Sequence, residues 1–593
     1  MNIDKQPGKR SIGKPRGFRD ILFAEAARRE NLIAKVSSYF SEAGYELVET
    51  PSVEYPETLL KGQSNASDAS ENSTCIGDDN NLRDTFRFVD VDGNLIALRS
   101  DVTGSLARVV ATCFSLIEPP YRLRYVADVF REQESLRGSD RQVTQLGLEC
   151  FGLTHETADE EVLGLALGGL EAAGIPDCRL HLSDVTVFNS LLEADLLDSD
   201  WKSAFYSAWR SGDFIKVKEL IVNGALPDQS ALALRELVGL RGGLDALDRA
   251  ALLLKGNERG LKALDNLRRN YSAIMSQLNL CDSSQKLVVD FSLTPHFEYY
   301  SGLIFELYAT AKDGRARILG SGGRYDRLME QFGCKMPAAG FGYNLASLER
   351  IVASYEDVSL EKFSETAPAR TSSAKVSPPL RIAVPKGKLY DDCIDLLEQA
   401  GINVPGLRNP GRTLRIVNDD FDIIIAKPTD VAIYVSRGAA DIGISGRDTL
   451  VEADFPLLQL VDLKFGGCEF VVAAPDSLDC SLDELSLRLG TIRVATKYPR
   501  LTQQFFDERG IQVEIVKLNG NIELAPLIGI ADVVVDITQT GTTLRENNLQ
   551  VVDRVLPSTA RFVTQYSAAR TDSRVMELAE KLENILEMRG SSS

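Results

Sequence analysis

The stretch from Glu356 to Pro379, EDVSLEKFSETAPARTSSAKVSPP, constrains this chain most, because it is rich in Ser, Ala, Pro and charge and carries almost no apolar periodicity. Such a segment has no face to bury and reads as a flexible linker. It separates residues 1–355 from residues 380–593. A chain of 593 residues is also too long for one hydrophobic core, and usual domain sizes suggest roughly three to five units. A second polar stretch, from Gly62 to Asn81, reads as a surface loop.

The two sides of the linker differ in texture. Before it, strand-like runs such as Leu95 to Leu98 and Tyr121 to Val126 mix with helical segments. About residues 190–285 look nearly all helical, with apolar residues at three- and four-residue spacing in ALALRELVGL and GLKALDNLRRNYSAIMSQL. This predicts a helical insertion in an α+β core. After the linker, LRIAVPKG, DIIIAKP, DIGISG, FVVAAP, RVATK and ADVVVD alternate with helical segments, which predicts an α/β region of mainly parallel strands.

Composition narrows the class. No apolar run approaches the roughly 20 residues needed to span a bilayer, and the charged N-terminus lacks a signal-peptide core, so a soluble cytoplasmic protein is expected. The nine cysteines form no CxxC pair, and neither a zinc site nor a disulfide framework is indicated. A net charge of −19 argues against a general nucleic-acid surface, which needs clustered Lys and Arg. Anionic substrates still fit if a few cations and backbone amides converge in one cleft.

Two segments of the second half have that character. In LRIAVPKGKLYDDCIDLLEQAGI, Lys386, Gly387 and Lys388 fall where a strand gives way to a helix, the usual ligand position in α/β sheets; two solvated lysines at a turn are the plain alternative. In ADVVVDITQTGTTLREN, a strand feeds Asp536 and then a loop containing Thr538, Thr540, Gly541, Thr542 and Thr543. Its amides and hydroxyls could surround a phosphate at a helix start, and an ordinary threonine-capped turn is the alternative.

Six motifs in order, AVPKGKL, RTLRIV, AKPTDVAIYVSRGAADIGISGRDTL, ATKYPRLTQQFF, LNGNIELAPLIGIADVVVDI and TQTGTTLRENNL, make residues from about Leu380 to Val563 resemble the short form of ATP phosphoribosyltransferase. The resemblance implies a two-lobed α/β fold like that of periplasmic binding proteins, with ATP and phosphoribosyl pyrophosphate in the cleft and Mg2+ accompanying the pyrophosphate. It assigns the 5-phosphate to the Thr538 to Thr543 loop and the pyrophosphate or ATP phosphates to Arg412 and Lys427 as catalytic cations, with Lys386 and Lys388 lining the cleft. Lys427 replaces a more usual arginine, and Gln539 replaces an acidic or small polar residue. The implied chemistry needs orientation and charge neutralisation rather than an acid–base pair, and this half contains no histidine. The short form lacks a regulatory domain, and little chain follows the loop beyond one closing helix near Ser573 to Met588.

From Pro15 to about Ser354 the chain resembles histidyl-tRNA synthetase and, more closely, its paralogue the ATP phosphoribosyltransferase regulatory subunit. The motifs are PRGFRDIL, LRSDVTGSLAR, VFREQESLRGSDRQVTQLGLECFG, HFEYYSGLIFEL, GSGGRYDRLMEQFG and PAAGFGYNLASLER. The resemblance implies a class II aminoacyl-tRNA-synthetase-like core and a histidine pocket formed by Asp101, Thr103, Arg131, Gln145, Glu149, Tyr299 and Tyr300. Pro295 stands where the synthetase has its catalytic arginine, and proline can neither neutralise a phosphate nor donate a backbone hydrogen bond. Tyr343, Asn344, Ala346 and Ser347 alter the third motif, and no anticodon-binding domain follows, so aminoacylation and tRNA binding are not expected. A retained pocket joined to a histidine-biosynthetic enzyme suggests feedback inhibition by histidine, in a homo-oligomer. His155, His181 and His296 are too dispersed for a metal triad. An active synthetase and a non-enzymatic small-molecule sensor are the competing readings.

Overall fold

The structure is a computed structural model that describes residues 14–61, 85–114, 116–132, 140–175, 177–192, 197–224, 226–278, 286–294, 299–355, 378–539 and 541–590. The expected surface loop, all but the last two residues of the expected linker, and Pro295 lie outside them. The chain divides into two compact units, one of Met1–Tyr206 with Leu220–Ala369 and the other of Ser207–Glu219 with Arg370–Ser593.

The first unit is built on a nine-stranded sheet in the order Glu46–Leu47, Tyr121–Phe130, Gln142–Phe151, Ala338–Asn344, Ala316–Arg324, Leu303–Thr310, Cys178–Asp184, Leu287–Asp290 and Arg241–Gly242. Its central pairings are antiparallel. Helix Phe23–Glu42 buries Leu32, Val36 and Phe40, at a four-residue spacing that sets them on one face. The expected strands are present at Leu95–Leu98 and, four residues longer than expected, at Tyr121–Phe130.

The region read as nearly all helical contains Ser199–Arg210, Phe214–Asn223, Asp228–Leu237, Leu244–Leu253 and Glu258–Gln277. It departs from that reading at Arg241–Gly242, a two-residue strand paired with Leu287–Asp290. Arg241 explains the departure. Its guanidinium binds the buried Asp290 at 3.0 Å and Ser292 at 2.7 Å, and a buried carboxylate requires such a partner. No helical periodicity could announce this.

The second unit has two sheets. In the first lobe the order is Arg415–Val417, Phe421–Ala426, Leu380–Pro385, Ile442–Gly446, Ala560–Thr564, Leu458–Asp462; in the second it is Val513–Lys517, Ile492–Thr496, Val533–Thr538, Cys468–Pro475, Leu549–Ser558. Within each sheet three consecutive strands run parallel. The chain crosses between lobes twice, after Asp462 and after Ser558. Each lobe has its own apolar core, around Val431, Val435 and Leu450 in the first and Phe470, Val494 and Phe506 in the second. The two lobes are those the resemblance implies, but the strands are not mainly parallel as the alternation predicts: among the described pairings four are parallel and five antiparallel, because the strands that cross between lobes return against the parallel sets.

Candidate functional site

The first unit gathers its pocket on one face of the sheet. Side chains alternate across a strand, so Gln145, Gly147 and Glu149 share a face of Gln142–Phe151, and the register sets Gly340 beside Glu149 and Gly342 beside Gly147. Gly147 and Gly342 admit the Tyr125 hydroxyl, from which a Cβ on either would lie 2.6 or 2.8 Å. Gly340 has no room to spare: a Cβ there would lie 1.7 Å from Glu149 Oε2 and 2.5 Å from the Leu148 carbonyl.

Thr103, at the start of helix Thr103–Cys113, donates to Glu149 Oε1 at 2.7 Å, and Tyr325 donates to Oε2. Glu149 is 1% exposed. Burial raises its carboxyl from 4.5 to about 8 against the lowering effect of these two hydrogen bonds, with Asp101 raising it further. Burial likewise raises Asp101, and Arg131 opposes the rise. Tyr299, Tyr300 and Tyr325 form an aromatic wall with centroids 5.0 to 6.5 Å apart. Gln145 Oε1 is buried without a hydrogen-bond partner, an acceptor free for a donor from outside.

Asp101, Thr103, Glu149, Tyr299 and Tyr300 are therefore brought together. Arg131 and Gln145 border them. Sequence reasoning missed Tyr125 and Tyr325, which face the same carboxylates. Tyr125 follows from strand alternation in Tyr121–Phe130. Tyr325 is held by its neighbour Arg324, 2% exposed, whose guanidinium binds Asp159 at 2.6 and 2.9 Å and Asp326 at 2.9 Å.

In the second unit the register concentrates cations at the carboxyl ends of parallel strands. Pro385 pairs with Ala426, so Lys386 and Lys427 follow adjacent strand ends, and the Lys386 amide donates to the Ala426 carbonyl at 2.7 Å. The Ile425 amide donates to Leu414 at 2.8 Å, which carries the Arg415–Val417 hairpin arm back so that Arg412 reaches the same edge. Arg447, at the end of Ile442–Gly446, joins them and was not anticipated. Lys386, Lys388, Arg412 and Lys427 are all exposed.

The facing lobe contributes Lys497, just after Ile492–Thr496, and Asp536, within Val533–Thr538, 3.6 Å apart. Burial raises the Asp536 carboxyl and Lys497 opposes this. Burial, Asp448 and Asp536 push the Tyr498 phenol up, so it remains a hydrogen-bond donor. Lys388 Nζ donates to Gln539 Oε1 at 3.4 Å, spanning the lobes. Gly541 takes φ +69°, a left-handed conformation suited to glycine, and its amide donates to Thr538 Oγ1 at 2.9 Å. That turn leaves Thr542 and Thr543 exposed at the head of helix Thr542–Glu546. Thr540 lies outside the described residues. Among the described residues no group of three His, Cys, Asp or Glu could hold a metal, and the seven described cysteines are free.

Cations and amides at strand ends define a site for polyanionic ligands. A family model for histidyl-tRNA synthetase matches residues 17–348, and one for ATP phosphoribosyltransferase matches residues 427–584. The ATP phosphoribosyltransferase of Moorella thermoacetica is 48% identical over 201 residues, covering 33% of this chain and 87% of that relative. That of Rubrobacter xylanophilus is 43% identical over 191 residues, covering 32% and 88%. A crystal structure described as an ATP phosphoribosyltransferase regulatory subunit/histidyl-tRNA synthetase from Bacillus halodurans C superposes with a TM-score of 0.50 at 23% identity, covering 70% of this chain and 93% of that one, a likeness of fold. The chain belongs to the ATP phosphoribosyltransferase family through its C-terminal region and to the histidyl-tRNA synthetase family through its N-terminal region. It is a pentosyltransferase fused to a class II synthetase-like core.

Proposed function

We propose that this chain is a histidine-regulated ATP phosphoribosyltransferase that carries its effector pocket in the same polypeptide. The reaction condenses ATP with 5-phosphoribosyl 1-diphosphate to N1-(5-phosphoribosyl)-ATP and diphosphate, the first step of L-histidine biosynthesis. The adenine N1–C1 bond forms as the C1–oxygen bond breaks, and the electron pair leaves on diphosphate. The observation that carries the site assignment is the set of cations at adjacent strand ends. Arg412 and Lys427 neutralise the departing diphosphate, Lys386 and Lys388 hold the ATP phosphates, and the loop from Thr538 to Thr543 holds the 5-phosphate with Asp536 toward the ribose. Orientation and charge neutralisation supply the rate.

No protein cage for Mg2+ is evident among the described residues. The ion would be held as a companion of the diphosphate by substrate oxygens and water, as Mg2+ commonly is, and would supply positive charge to the leaving group.

In the first unit, the Glu149 carboxyl and the free Gln145 acceptor suit the imidazole and ammonium of histidine, Asp101 adds charge for the ammonium, and Arg131 suits the carboxylate. Inhibition requires histidine to favour a less active state, so substrates that favour the active state weaken histidine binding by the same factor. Pro295 speaks against aminoacylation, and tRNA is not assigned as a partner. A homo-oligomer is supported by Phe88, Val89, Val91 and Leu95, exposed at and beside a three-stranded sheet, since exposed apolar patches mark interfaces. No helix among the described residues is long and apolar enough to cross a membrane. A cytoplasmic site is proposed with the biosynthetic reaction.

The test is a spectrophotometric assay with ATP, phosphoribosyl pyrophosphate and Mg2+, with and without histidine, checked by diphosphate release. Turnover suppressed by histidine is expected. Turnover indifferent to histidine removes the sensor, and no turnover removes the site assignment.

A further inference from the structure

Helix Pro499–Asp507 begins directly after Lys497 and Tyr498, the two second-lobe residues that face Asp536. Its N-cap, Tyr498, offers no side-chain capping hydrogen bond, and the first-turn amides of a helix have no partner within it. The partner comes from the other lobe. Glu452, in first-lobe helix Arg447–Ala453, accepts from the Arg500 amide with Oε1 at 3.3 Å and from the Leu501 amide with Oε2 at 3.0 Å. Arg500 returns the contact, donating to the Val451 carbonyl at 3.1 Å and pairing with Asp454 at 2.5 Å. Asp454 sits at the helix C-cap with φ +45°.

We infer that Glu452 is a positioning residue for phosphoribosyl transfer: by capping this helix from across the lobes it holds Lys497 and Tyr498 in register with the first-lobe cations. A carboxylate at a helix N-terminus also interacts favourably with the helix dipole. Both carboxylate oxygens of Glu452 are taken up by these helix amides rather than by the strand-end cations. Glu452 acts on where Lys497 is presented. The inference rests on the transferase reading above.

The experiment is a double-mutant cycle in the full chain, with Glu452→Gln, Lys497→Met and the double variant assayed for kcat and both KM values. Misplacing a group by a fraction of an ångström can cost an enzyme large factors, so Glu452→Gln is expected to lower kcat about tenfold with KM values changed less than about twofold. If Glu452 acts through Lys497, the same substitution costs less than about twofold in the Lys497→Met background, because coupled residues are non-additive. An equal factor in both backgrounds, or an unchanged kcat in Glu452→Gln, overturns the inference. Should Glu452→Gln not fold, Glu452→Asp, whose shorter side chain withdraws the carboxylate from the Arg500 and Leu501 amides, takes its place in the cycle with the same criteria. Absence of turnover in the unsubstituted chain overturns the transferase reading itself, which separates the two failures.

Discussion

Thr103 Oγ1 donates to Glu149 Oε1 at 2.7 Å while Tyr325 donates to Oε2, so both oxygens of this buried carboxyl are engaged before any ligand arrives. Two neutral donors do not replace the hydration that a carboxylate loses on burial. The proton is therefore bound more tightly in the folded state than in the unfolded chain.

The sign of the pH effect follows. With the carboxyl raised from 4.5 to about 8, the folded state holds an extra proton between those values, and stability is lost as pH rises through them. At about 1.4 kcal/mol for each tenfold change in proton affinity, the loss is of the order of several kcal/mol. Glu149→Gln removes it. Calorimetry should place the synthetase-like unit of that variant above the unsubstituted chain at pH 8, with the gap narrowing toward pH 5; a gap constant across that range contradicts the raised carboxyl.

Gly340→Ala puts a methyl group 1.7 Å from Glu149 Oε2 and 2.5 Å from the Leu148 carbonyl. The carboxylate can swing away, but the backbone oxygen cannot. Overpacking of this kind costs about 1–3 kcal/mol, and histidine binding should fall with it. Isothermal titration showing unchanged histidine affinity would sink the pocket assignment.

Lys427 sits at the head of helix Pro428–Ser436, whose Pro428 occupies the N-terminal position that proline favours. Lys427→Ala is expected to reduce kcat/KM about a hundredfold, the scale for removing a transition-state charge partner. Lys427→Arg should retain or raise turnover, since guanidinium matches phosphate in two bonds where ammonium gives a point charge. Initial-rate kinetics on both variants decide whether this cation meets the leaving group.

Val91 is fully exposed, and Val89 is 64% exposed on the sheet of Val53–Glu54, Leu95–Leu98 and Arg87–Val89. If this apolar patch is covered by another copy, Val89→Lys with Val91→Lys should shift the mass measured by light scattering to a smaller species. An unchanged mass excludes this patch as the oligomer contact.

Much was legible from local pattern alone. The break in periodicity at Glu356 separated two textures because a segment without an apolar face joins no core. Lys386 could be set at a strand end from the turn at Pro385 to Gly387, and the helical stretch after Asn189 from its three- and four-residue spacing. Those inferences need only the periods of strand and helix. What depended on non-local pairing was out of reach: Tyr325 meets Glu149 across 176 residues of chain, Arg241 leaves a helical region to serve Asp290, and Glu452 caps a helix on the opposite lobe. A buried carboxylate or an open helix end must find a partner, but which side chain supplies it is decided by strand order and lobe packing. The sequence thus determined the elements, the family and the residue types of both sites, while only the tertiary structure decided which distant groups satisfy one another, because those choices depend on burial rather than on any periodicity along the chain.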